Sequence, residues 1–146
     1  MTTRNFVLTI GILYLLIGLL GFFPALVSTP QTDGPGLVLD TGYAYLLGLF
    51  PVNALHNLVY LTIGIWGITI YRSLPKSITF SRGLAIIFGV LTVMGLIPAL
   101  STMFGLMPIF GHTVWLHAAT AAAAAYFGYG HVAQVVPLEW EARRAS

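Results

Sequence analysis

Along almost the whole chain, long uncharged apolar runs alternate with short connections that carry the charge. The first run, Phe6 to Ser28, contains no charged residue. A helix rising about 1.5 Å per residue needs roughly 20 residues to cross ~30 Å of hydrocarbon, so this run predicts a membrane span over 6–28. A cleaved signal peptide is the rival reading, but its apolar core runs about 7–15 residues and no Ala-x-Ala site follows here. From Thr41 to Tyr71 the chain is again uncharged, and too long for one perpendicular helix. Pro51 suits the first turn of a helix and pushes the preceding residue away from helical geometry. The stretch therefore divides into a short interfacial helix over 43–49 and a second span over 51–71. A third span is expected over 83–104, kinked late by Pro98. A fourth is expected over 111–134, where the run Ala121–Ala125 favours helix and close approach of a neighbour.

The resulting expectation is an all-α, integral membrane four-helix bundle forming a single domain over 1–146. Composition agrees: 58% of the residues are hydrophobic and 7% charged, against roughly 25% charged in soluble domains. The 6 Lys and Arg residues fall in three places: Arg4 before the first span, Arg72, Lys76 and Arg82 between the second and third, and Arg143 and Arg144 after the fourth. Basic residues collect in short cytoplasmic loops, so both termini are expected on the cytoplasmic side. The basic balance thus reports orientation in a lipid bilayer. No patch is dense enough to grip a nucleic acid. Tyr43, Tyr45 and Phe50 near one boundary, with Tyr71, Tyr126, Phe127, Tyr129 and Trp140 near the other, suit interfacial aromatic belts.

Two segments recur in order. Gly21-Phe-Phe-Pro-Ala-Leu-Val-Ser-Thr29 returns as Gly95-Leu-Ile-Pro-Ala-Leu-Ser-Thr102, and Gly48-Leu-Phe-Pro51 returns as Gly105-Leu-Met-Pro108. Two tandem transmembrane hairpins pointing the same way would produce this pattern, related by a pseudo-twofold axis along the membrane normal. Sliding Pro51 onto Pro108 places Tyr60 on His117 and His56 on Thr113.

The chain has no cysteine, so histidine, carboxylate and hydroxyl chemistry remain. Asn53, His56, Asn57 and Tyr60 share one helical stripe continued by Gly64 and Gly67; Thr113, His117, Ala121, Ala124 and Gly128 form another. Polar side chains are costly in lipid, so both stripes should face the bundle interior, toward its outer half. One reading of His56 and His117 is structural, each imidazole being satisfied by Asn53, Asn57, Tyr60, Thr92 or a carbonyl freed near Pro98. Another is ligand binding by His56, His117, Asn53, Asn57 and Tyr60, since facing histidines hold haem or chlorophyll in helical bundles. Proton relay or quinone binding is a third.

His112 and His131 read as helix-end residues, and Asp33 and Asp40 as solvated loop residues. The spacing of His112 and His117 misses that of paired metal ligands on a helix. Paired intramembrane carboxylates are absent, as are the Gly-x-Ser-x-Gly, phosphate-loop and His-Glu-x-x-His signatures, so no catalysis is expected. The tail Pro137-Leu-Glu-Trp-Glu-Ala-Arg-Arg is expected to lie on the cytoplasmic surface, with docking of a partner as the alternative.

Phe50-Pro-x-Asn53-x-x-His56-Asn57-x-x-Tyr60-x-x-x-Gly64, with Trp115-Leu-His117 in the second half, resembles a family of small bacterial integral membrane proteins of unknown function. The resemblance covers nearly the whole chain and implies four helices in a bacterial cytoplasmic membrane or an internal membrane derived from it. The family pattern carries histidine where Tyr60 stands and an acidic residue near Thr113, so the polar set here departs from it. Three functions stay open: an accessory or structural subunit beside a larger membrane complex, a haem-, pigment-, quinone- or lipid-binding protein, and a small oligomeric transporter.

Overall fold

A computed structural model describes residues 1–30 and 35–132. The tail from Pro137, the cations Arg143 and Arg144, Trp140 and Asp33 lie outside the described residues. The architecture is mainly helical: α1 (Thr3–Leu20), α2 (Ala54–Ile70), α3 (Leu74–Leu96) and α4 (His112–Ala125), with a three-stranded antiparallel sheet at one end.

Local chemistry sets the boundaries. Thr2 caps α1, its hydroxyl accepting from the Asn5 amide. Asn53 caps α2 by accepting from the His56 amide at 2.8 Å, a preferred residue in that place because its short side chain satisfies an otherwise unpaired helix N–H. Phe23 and Ile97 are both extended, as residues before proline prefer, and each leads into a 3-10 turn of sequence Pro-Ala-Leu: Pro24–Leu26 after α1 and Pro98–Leu100 after α3. Pro98 thus ends α3 instead of kinking it. Gly111 precedes α4 at φ 62° and ψ −137°, a region closed to side-chain-bearing residues. Beyond Ala125 the helix loosens into a π segment, Tyr126–Gly130.

The third helix starts well before 83, at Leu74, so Lys76 and Arg82 lie on its first turns and not in a loop. The interfacial helix expected over 43–49 is corrected to strand and turn. Strands β1 (Val27–Ser28), β2 (Ala44–Leu46) and β3 (Phe50–Val52) pair in that order, with Leu46 opposite Phe50 and Tyr45 opposite Pro51. The intervening Leu47 and Gly48 both take positive φ, 53° and 70°, which closes a tight hairpin. Pro51 sits in the edge strand, where its missing N–H is tolerated. Tyrosine, phenylalanine and valine around a Leu-Gly turn favour this outcome over a helix.

Helix α1 packs along α2, and α3 along α4. The α1–α2 approach is at backbone contact: a methyl group on Gly64 would sit 2.5 Å from the Leu15 nitrogen, and one on Gly18 2.8 Å from the Asn57 carbonyl oxygen. Between the pairs lies a core of Phe6, Val7, Ile10, Tyr14, Tyr60, Phe80, Leu84, Phe88 and Ala124. Among the described residues two helices, α1 and α3, are long and apolar enough to cross a membrane, at 18 and 23 residues with hydropathy 1.8 and 1.7. Large apolar side chains face outward as well as inward, and a polar cluster lies inside. Ile86, Val93 and Trp115 are exposed at 61%, 58% and 68%, while Asn53, His56, Asn57, Thr113 and His117 are buried.

Candidate functional site

The polar cluster is built from the first turns of α2 and α4, held down by the loops above them. The Asn53 amide nitrogen donates to the carbonyls of Leu39 at 2.9 Å and Leu106 at 2.7 Å. One side chain therefore caps α2 and ties it to both long loops, which also meet directly where the Val38 and Leu39 amides donate to the Gly105 carbonyl. Thr113 of α4 donates to the Pro51 carbonyl at 3.5 Å, joining the start of α4 to the strand before α2.

One turn further in, His56, Asn57 and Tyr60 of α2 face His117 of α4. The Tyr60 hydroxyl and His117 Nε2 are 2.9 Å apart, with donor and acceptor set by the imidazole tautomer. The ring centroid of His56 lies 4.3 Å from that of Tyr60 and 5.9 Å from that of His117. All five residues expected from the sequence, Asn53, His56, Asn57, Tyr60 and His117, are thus buried in one cluster. The other suggested partners are engaged elsewhere: Thr92 donates to the Phe88 carbonyl of its own helix, and the Pro98 carbonyl accepts from Ser101.

Three members, Tyr14, Thr120 and Phe88, escaped sequence inspection. Tyr14 of α1 shares a 2.8 Å hydrogen bond with Thr120 of α4, and its ring packs on Tyr60 at 4.9 Å. Phe88 of α3 contacts both Tyr14 at 5.2 Å and His117 at 5.0 Å. A tyrosine hydroxyl in the middle of an apolar helix was the available signal for Tyr14, since such a group needs an internal partner. Three polar atoms of the cluster, His56 Nδ1, Asn57 Oδ1 and His117 Nδ1, are buried without a hydrogen-bond partner. Gly21 gives Asn57 its room; any side chain there would collide with it.

This arrangement suits few kinds of chemistry. Among the described residues no three His, Asp or Glu side chains come together to hold a metal. A haem or chlorophyll macrocycle needs a slot beside its axial histidine. Here Tyr60 and Phe88 pack against the imidazoles, and Tyr60 takes the Nε2 face of His117. Every cluster member is sealed from the exterior. His112 stands exposed at the start of α4 with its ring 6.3 Å from Phe50, while His131 packs at the far end against Tyr126 and Phe127. Asp40 is exposed in the first long loop.

The sequence profile of a family described as Domain of unknown function (DUF4383) matches residues 4–130. The chain belongs to this family. No curated protein and no solved structure matches it.

Proposed function

We propose that this member of the family is a four-span protein of the bacterial cytoplasmic membrane, or of an internal membrane derived from it, with both termini cytoplasmic. In our reading it is a non-catalytic accessory subunit of a larger membrane complex. The observation that carries this is the burial of the polar cluster beneath an apolar exterior. Groups able to do chemistry, His56, Tyr60 and His117 among them, are sealed inside, while the outer surface offers apolar ridges such as Ile86, Val90 and Val93. A surface of that kind meets lipid and other helices.

Orientation is supported by charge. Arg4 and Arg72 line one shallow recess with Thr2, Asn5 and Tyr71, and Arg82 donates to the Gly128 carbonyl at 2.9 Å, so the described arginines gather at the end opposite the sheet. Short basic segments at one end point to the cytoplasm.

Tandem hairpins are supported by contacts that recur. When Gly21 is slid onto Gly95 and Pro51 onto Pro108, Tyr14 corresponds to Phe88, Tyr60 to His117 and Asn57 to Val114. Tyr14 packs on Tyr60 at 4.9 Å and Phe88 on His117 at 5.0 Å; Gly21 lies against Asn57 and Gly95 against Val114. Counterparts also touch each other, Tyr60 with His117 and Tyr14 with Phe88. Residues beside a twofold axis behave this way, because contact i to j implies j to i.

Purification of the tagged chain from its native membrane in a mild detergent tests the assignment. A larger membrane complex should copurify in fixed proportion, and its assembly should fall when the chain is deleted. Isolation of the chain alone, with no complex altered by its deletion, would overturn the accessory role. A terminus labelled from outside intact cells would overturn the orientation.

A further inference from the structure

The two sides of the bundle are not equivalent. On one side α1 closes on the π segment that follows α4: Phe6 stacks on Phe127 at 4.7 Å, and Thr3 donates to the Phe127 carbonyl at 3.0 Å. On the other side, between the corresponding helices α3 and α2, a crevice stays open. Ile70 stands where the tandem correspondence puts Phe127, and the smaller side chain leaves the crevice unfilled. The result is an apolar groove of about 620 Å³ between α2 and α3, walled by Trp66, Ile70, Phe80, Gly83 and Ile87, with Lys76 at its basic end. Trp66 is 56% exposed and meets Phe80 edge-on at 5.3 Å.

Length and charge select an occupant. From Lys76 to Ile87 the groove follows α3 for about 16 Å at ~1.5 Å per residue, close to half of the ~30 Å hydrocarbon core and so to one leaflet. Its volume lies within the roughly 300–1,000 Å³ of small-molecule sites. Among the described residues Lys76 is the sole cation on the lining, and it stands in the first turn of α3, where the helix dipole also favours an anion. We propose that the groove holds one acyl chain of an anionic glycerophospholipid from the cytoplasmic leaflet, with the lipid phosphate at Lys76. One basic residue at an anionic membrane surface is worth about 1 kcal/mol, or roughly fivefold in occupancy. The inference rests on the membrane reading above.

Trp66 supplies the probe. The full chain carrying Trp115→Phe and Trp140→Phe, with Trp66 as its remaining tryptophan, is reconstituted into phosphatidylcholine vesicles containing brominated phosphatidylglycerol or brominated phosphatidylcholine. The phosphatidylglycerol form should quench Trp66 at about one fifth of the mole fraction the other requires. Lys76→Gln should bring the two lipids level, and Lys76→Arg should keep the preference. A Cβ at Gly83 would meet nothing within 4 Å, so the backbone accepts a side chain there, and Gly83→Leu should fill the groove and abolish the preference. Equal quenching in the parent, or a preference that survives Lys76→Gln or Gly83→Leu, overturns the proposal. Flotation separates the two levels of the argument. A chain that floats with vesicles but shows no preference fails here alone, whereas one that stays behind in the dense fractions fails the membrane reading as well.

Discussion

At the scale of single residues, the Tyr60–His117 pair is where the two halves of the chain read each other. Both groups are buried, and their hydrogen bond spans 2.9 Å. Tyr60→Phe removes one partner and leaves His117 Nε2 unsatisfied beside an Nδ1 that already lacks a partner. An orphaned buried polar group costs about 1–3 kcal/mol, whereas replacing both partners by apolar groups of similar shape comes close to neutral. Tyr60→Phe and His117→Leu should therefore each destabilise the bundle, and the double variant should lose less than their sum. The expected coupling is about 0.6–1.7 kcal/mol, the range of interhelical hydrogen bonds in membranes. Reversible unfolding in mixed micelles across the full double-mutant cycle measures it; strict additivity would mean the contact contributes nothing.

At the scale of elements, the glycines of the helices divide by what faces them. Gly64 of α2 touches the Leu15 backbone, so Gly64→Ala must push α1 away and should cost about 1–3 kcal/mol. Gly83 of α3 faces open space, so Gly83→Ala should instead stabilise by up to about 1 kcal/mol, the helix-propensity difference between the two residues. Thermal denaturation of the two variants in detergent should move in opposite directions, and a shared direction would contradict the packing described. The existence of four helices was legible because uncharged length is a strong signal, and so was the inward polar stripe, because polar groups in apolar helices must find one another. Boundaries were harder. The start of α3 was hidden because Lys76 and Arg82 look like loop residues, although long helices carry charged ends beyond an apolar middle. The hairpin over Ala44–Val52 was hidden because Tyr43–Leu49 is as apolar as its neighbours, and only the Leu47-Gly48 turn and the β-favouring Tyr, Phe and Val distinguish it. Tyr14 and Phe88 depended on how α1 and α3 rotate against the other helices, which hydropathy does not encode.

At the scale of the molecule, each helix pair carries its own closest packing, α1 on α2 and α3 on α4, and the halves then meet across a shared middle of aromatic and polar rings. Such an arrangement implies that chain continuity between the pairs is dispensable. Ser73 lies in the short connection between α2 and α3, at the end of the bundle away from the sheet, and a break there cuts no strand pairing. Two fragments split at Ser73 and produced together should copurify through a tag on either one, because Tyr60–His117, Tyr14–Thr120, Asn53–Leu106 and Thr113–Pro51 all form between them. His117→Ala in the second fragment should weaken that recovery several-fold, since it strips the central hydrogen bond to Tyr60 and the ring contact with His56, both of which cross between the fragments. Fragments that each insert but fail to associate would show that the shared middle is too weak to define the bundle, and that the covalent link, not the internal pairing, holds the halves together.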